Sequence, residues 1–167
     1  MQESSLSSQQ LLTSYVGELN DVKVQQIRLY TQWTEYGYSS QFDHFLSKQK
    51  REVSEQHAVL KSLIDTLKIH ELNEARSSIR NLLYEAEQIE RYARHEGGLE
   101  AVEPLIVQLL QGVKHHEMVM VRGAITLART LKEPAIIDSL VGILEEQEQA
   151  YLWLRDFEAN RVEAEQK

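Results

Sequence analysis

The sequence predicts an all-α protein, a four-helix bundle with a short extra crossover helix. Apolar residues recur three and four positions apart over long stretches, and no run alternates as a half-buried strand would. Only two prolines and seven glycines interrupt 167 residues, so helices can run long. Polar side chains also interrupt two apolar stripes at matching depth, across a turn at Lys132-Glu133-Pro134. Facing helices of a bundle build a core site in this way.

The elements follow in order within one domain, 1–167. Ser7-Ser8-Gln9-Gln10 has the spacing of a capping box and opens a helix over about 8–36. Its inward face is Leu12, Tyr15, Leu19, Val22, Gln26, Leu29, Trp33 and Tyr36, with Gln26 where an apolar residue is expected. Gly37 ends it, and Ser40-Gln41-Phe42-Asp43 has the spacing to cap a second helix, 41–68. Its stripe is Leu46, Val53, His57, Leu60, Ile64 and Leu67. Asn73 is a good cap for a third helix, 73–95, which ends at His95-Glu96-Gly97-Gly98 and can serve as the crossover. A fourth helix, 100–132, opens with Pro104 in its first turn, and a fifth, 134–158, is followed by a charged stretch that frays. Trp33, Tyr36 and Tyr38 read as packing at one end of the bundle.

Composition removes several functions. The formal charge of −8 disfavours nucleic acid and anionic membrane as partners, because phosphates select basic surfaces. The absence of cysteine removes disulfides, thiolate metal sites and a cysteine nucleophile together. The first residues lack the basic-then-apolar pattern of a signal peptide, and no run approaches the roughly 20 apolar residues that span a bilayer. The expected location is the cytoplasm.

The candidate site gathers Glu52, Glu55 and His57 from the second helix with Glu117 and Glu146 from the last two. Two carboxylates facing each other in a core need a cation or a shared proton, because a buried unpaired charge costs several kcal/mol. The alternative puts both at the edge of the seam, reaching water or binding Lys114 and Arg122. His57 reads as a ligand or as a hydrogen-bonded helix histidine, His115-His116 as a solvated pair, and Glu145–Glu148 as a charged face. No Ser-His-Asp ordering or glycine-rich phosphate loop is present.

Several short runs resemble the ferritin-like family of unknown function typified by the bacterial stress-associated proteins YciE and YciF. They are Glu18-Leu19-Asn20-Asp21, Leu82-Leu83-Tyr84-Glu85, Leu105-Ile106, His115-His116-Glu117-Met118 and Leu144-Glu145-Glu146. The family's Glu-His-aromatic-Glu-Ile run and its later Glu-Glu pair correspond to Glu117 and Glu146. The resemblance implies a ferritin-like bundle, in which two helices give one Glu each and two give Glu-x-x-His to a pair of metal ions. Several positions depart from that pattern. Gln26 falls near the first-helix Glu, Lys114 stands at the Glu upstream of Glu117, Ser54 precedes His57 by three, and Gln149 follows Glu146 by three. What survives is Glu52, Glu55, His57, His116, Glu117 and Glu146, with Glu85 in addition.

Two functions are therefore expected. The first is a stress-associated bundle with a degenerate or absent di-metal site, acting by binding or protection and as a homodimer. The second is a di-iron or di-manganese protein that handles peroxide or dioxygen. The resemblance with its substitutions favours the non-enzymatic one. A third reading, a HEAT-like scaffold, rests on Val121-Arg122-Gly123-Ala124 and Lys132–Ile136, but stacked repeats need about three similar units.

Overall fold

The computed structural model describes residues 7–69, 78–96 and 98–165. They form five helices: α1 (Ser8–Trp33), α2 (Ser40–Leu67), α3 (Ser78–Glu96), α4 (Leu99–Leu131) and α5 (Pro134–Glu165). No strand occurs among the described residues. None of these helices is long and apolar enough to cross a membrane.

The capping box is present: Ser7 Oγ accepts from Gln10 N–H, and the Gln10 side chain accepts from Ser7 N–H. Other ends differ from the expected ones. The first helix stops at Trp33, ahead of the turn in which Gly37 takes a positive φ of 71°. The cap of α2 is Ser39 rather than Ser40. Tertiary contact selects it, since Glu103 of α4 accepts from both the N–H and the Oγ of Ser39, at 2.7 and 2.8 Å. The fourth helix begins at Leu99, so Pro104 lies inside it. The fifth runs on to Glu165, past the expected end at 158. No breaker follows Arg155, and Phe157 stacks on Trp153 with ring centroids 4.9 Å apart, which anchors the extra turns. The cap expected at Asn73 lies outside the described residues.

The contacts fix the topology. Asp21 and Arg28 of α1 meet Arg80 and Glu87 of α3 in the same chain sense, so these two helices are parallel. Tyr15 reaches Gly123 while Lys23 reaches Glu117, so α1 and α4 are antiparallel. Likewise Phe45 stacks on Trp153 and Gln56 meets Glu146, which makes α2 and α5 antiparallel. Two antiparallel hairpins, α1–α2 and α4–α5, thus pack together with α2 and α4 running the same way. That arrangement requires a return path along the bundle, and α3 supplies it on the flank of α1 and α4. A stacked HEAT-like array has no such crossing, so the scaffold reading is not supported.

The core falls into two apolar halves. One holds Tyr30, Trp33, Phe42, Leu46, Val53, Val113 and Leu154. The other holds Leu12, Val16, Leu19, Leu60, Val121, Leu140 and Ile143. Tyr36, Tyr38 and Trp33 do pack at one end, as the sequence suggests. Between the halves lies a layer of polar side chains.

Two helical glycines separate packing from propensity. A Cβ on Gly142 would meet nothing within 4 Å, whereas one on Gly123 would lie 2.7 Å from the Tyr15 ring. Gly142→Ala is expected to stabilise by about 1 kcal/mol through helix propensity. That corresponds to a rise in Tm of roughly 2–4 °C in a chain of this size. Gly123→Ala must displace Tyr15, so its Tm is expected to fall below that of Gly142→Ala. Equal values would show that Gly123 is not needed for the approach of α1 to α4.

Candidate functional site

The polar layer is built by four helices. On α1, Lys23 and Gln26 are three residues apart and so share a face. Lys114 and Glu117 repeat this spacing on α4. Lys23, Gln26, Lys114 and Glu117 are all 0% exposed. Gln56 of α2 and Gln147 of α5 are also buried, and Glu146 sits half-buried beside them.

Glu117 is the hub. Lys23 Nζ donates to its Oε1 in a very short contact. Gln26 Nε2 donates to its Oε2 at 3.1 Å, and Lys114 Nζ lies 3.5 Å from the same oxygen. Lys23 Nζ also reaches Gln26 Oε1 at 3.4 Å. The Tyr30 ring closes the cluster, its centroid 6.0 Å from Lys114 Nζ, at the limit of a cation–π contact. On the α2–α5 side, Gln147 Nε2 donates to Gln56 Oε1, and Gln56 Nε2 donates to Glu146 Oε2, each at 2.6 Å.

One carboxylate thus faces two ammonium groups, and the electrostatics follow from that ratio. Burial alone would push the Glu117 carboxyl up, but Lys23 and Lys114 together, with hydrogen bonds from Lys23 and Gln26, hold it below its usual range. Lys23 has the opposite balance. Burial is the largest influence and lowers it, Glu117 and more weakly Glu146 only partly compensate, and Lys114 lowers it further, to about 8. Burial, with Glu117 nearby, raises the Tyr30 phenol well above its ordinary value.

The expected metal-ligating residues are not brought together. Glu117 is in the layer, and Glu146 is at its edge on a separate glutamine pair. Glu55 is exposed, and Glu52 accepts from Gln49 at 2.6 Å and pairs with Lys48. His57 is displaced because the inward stripe of α2 runs Val53, Gln56, Leu60, Leu63. The buried position is therefore Gln56, one residue before the expected one, and His57 sits half-buried on its flank. His116 is exposed, with Nδ1 donating to the Gly112 carbonyl at 2.9 Å, and Glu85 is exposed on α3. No group of three or more His, Asp or Glu side chains able to hold a metal occurs among the described residues. Two buried ammonium groups already neutralise Glu117 and, through Lys23, part of the field of Glu146, and they repel a divalent cation, so the residues present do not fit a di-metal centre.

Two features lay beyond the sequence pattern. Lys23 follows Val22 in the seam, and lysine there reads as the edge of the stripe. Its burial needs Glu117 from another helix, which no local signal announces. At the far end of the bundle, Glu87 is held by Arg28 and Arg91, and the buried Glu90 pairs with Arg94, whose guanidinium lies 3.3 Å from the Tyr36 ring centroid. The i,i+4 spacing of Glu87–Arg91 and Glu90–Arg94 is the signal that could have found them.

Comparison with known proteins gives the wider setting. A family model described as a domain of unknown function (DUF892) matches residues 9–167. No curated protein matches the chain. Among solved structures, the YcfI protein of Rhodopseudomonas palustris is 19% identical, with a TM-score of 0.77 over 93% of this chain and 97% of that one. The E. coli stress protein YciF is 15% identical, with a TM-score of 0.77 over 95% of this chain and 99% of that one. At these identities the likeness is one of fold.

The buried cluster makes two predictions. Glu117→Leu leaves two ammonium groups without a counter-charge and is expected to destabilise by about 3–5 kcal/mol in urea unfolding. Adding Lys23→Met and Lys114→Met to it should recover most of that loss, because apolar replacement of a whole buried charge cluster is often neutral or stabilising. If the triple variant is no more stable than Glu117→Leu, the cluster does not behave as one unit.

The second concerns pH. A lysine lowered to about 8 from its ordinary 10.5 binds fewer protons folded than unfolded between those values. Stability therefore rises with pH from about 8. Above about 10 the raised Tyr30 phenol reverses the trend, since the unfolded chain loses that proton first. The urea midpoint of the native chain, minus that of Lys23→Met, should climb between pH 8 and 10. A flat difference would mean that the folded chain holds no buried, titrating Lys23 ammonium.

Proposed function

This chain belongs to the DUF892 family, and we propose that it is a ferritin-like bundle whose di-metal centre has been replaced by side-chain charge, acting in stress by binding or protection rather than by catalysis. One observation carries the reading: Lys23 and Lys114 place two positive charges against Glu117 in the middle of the bundle. The ferritin-like pattern would set two metal ions among carboxylates there. Positive charge is thus supplied by the chain itself, and Gln26 contributes a neutral amide to the same carboxylate.

The geometry supports a non-enzymatic role in a second way. Catalysis needs reactants to reach the working groups, and every charged member of the cluster is sealed between two apolar halves. The stress association is drawn from the solved E. coli stress protein that shares the fold. Among the described residues, three surface clefts lie away from the cluster. One of about 490 Å³ is bordered by Ser40, His44, Trp153 and Asn160, at the α2–α5 end.

Metal content tests the reading. Protein purified from iron- and manganese-supplemented cells should carry metal far below one ion per chain, and added divalent ions should leave its Tm unchanged. Near-stoichiometric metal that disappears in a Glu117→Ala, Glu146→Ala variant would overturn the proposal. The peroxide- or dioxygen-handling reading would then take its place.

A further inference from the structure

Lys23, Gln26 and Glu117 form an arrangement with a reactivity of its own. Lys23 Nζ and Gln26 Nε2 each donate to a different oxygen of the same carboxylate, Oε1 and Oε2. The amine also lies 3.4 Å from the carbonyl oxygen of that carboxamide. A nucleophile, an electrophilic carbonyl and a leaving nitrogen thus meet at one proton-carrying group. All three residues are fully buried, so water is kept from competing.

We propose that Lys23 and Gln26 are the site of a self-catalysed modification, an intramolecular amide cross-link formed with Glu117 as the proton shuttle. Glu117 Oε1 takes a proton from the Lys23 ammonium, and the freed lone pair attacks Gln26 Cδ. The bond from Nζ to Cδ forms and the bond from Cδ to Nε2 breaks. Of the three protons on the ammonium, one stays on the new amide and two pass through Glu117 to the departing nitrogen, which leaves as ammonium. Glu117 ends as the carboxylate it began as. Nothing is oxidised or reduced, and no co-reactant is required.

Three further points favour the step. The i,i+3 spacing on α1 keeps both side chains on one face, so the link closes without moving the backbone of another helix. The departing ammonium removes one positive charge from a cluster with two lysines and one glutamate. Lys114 and Glu117 remain as a balanced pair. Burial also lowers Lys23 toward neutral pH, which raises the fraction present as the reactive amine. Gln56 and Gln147 bond to each other and to Glu146, and are not expected to react.

The inference rests on the reading that side chains, not metal ions, fill the centre, so mass and metal content are measured on one sample. The full native chain is held folded at pH 8, denatured and weighed intact. The expected result is a loss of about 17 Da, one ammonia, as an amine displaces an amide nitrogen. Digestion should show no tryptic cleavage after Lys23, and fragmentation should place the link between Lys23 and Gln26. That placement separates it from the same mass loss by cyclisation of Gln2. Gln26→Met, which keeps a side chain of similar length, should keep full mass and normal cleavage after Lys23. Glu117→Gln should retain full mass as well. Full mass in the folded native chain after prolonged incubation, or a mass loss that maps elsewhere, overturns the cross-link. With no metal present, that result leaves the side-chain-filled centre standing, whereas stoichiometric metal overturns both.

Discussion

The structure depends on one constraint, that Glu117 lies in the interior and must meet positive charge there. A carboxylate removed from water is tolerated only beside compensating groups. Lys114 supplies one from the same helix and Lys23 another from the facing helix. The second contact matters more for the fold, because it sets the height at which α1 and α4 pass each other. A slip of one turn would leave Lys23 buried without its counter-charge, while Lys114 and Glu117 stay paired within α4. Apolar seams alone do not distinguish neighbouring registers so sharply.

Gln56 and Gln147 perform a similar task on the other side of the bundle. Their mutual hydrogen bond fixes α2 against α5 at the same level, where few other contacts join that pair. The aromatic stack of Phe45, Trp153 and Phe157 fixes the same pair at one end. The α1–α2 turn is secured independently, through the two bonds from Ser39 to Glu103 of α4. Each hairpin is therefore tied to the other at more than one height, which suits a bundle that unfolds as a unit.

Much of the architecture was legible in the sequence because helix signals are local. The capping box at Ser7–Gln10 and the apolar stripe of α1 need only neighbouring residues. The ends that moved did so through contacts between distant residues: Glu103 selects Ser39 over Ser40, and Phe157 extends α5. The site was less legible. Gln26 and Glu117 stand out as polar residues at seam positions and Lys114 as a departure from the family pattern, yet nothing local marks their partner Lys23. On α2 the stripe was read through His57 and Ile64, whereas the helix turns Gln56 and Leu63 inward, and an error of one residue moves a side chain by about 100°. That reading places His57 inward with Glu52 and Glu55 on its flanks, whereas the inward position is Gln56 and His57 lies beside it. Burial of a charge is a property of its counter-charge, and that information lies some ninety residues away in the chain.

Lysine at position 114 has a bearing on the economy of the cell. An ion drawn from solution must be captured, and it is withdrawn again when iron or manganese is scarce or a competitor sequesters it. An ammonium group on Lys114 is made when the ribosome adds the residue, one for every chain, and no chelator can strip it. On the proposed reading, a bundle held together in this way keeps the same interior through starvation and plenty.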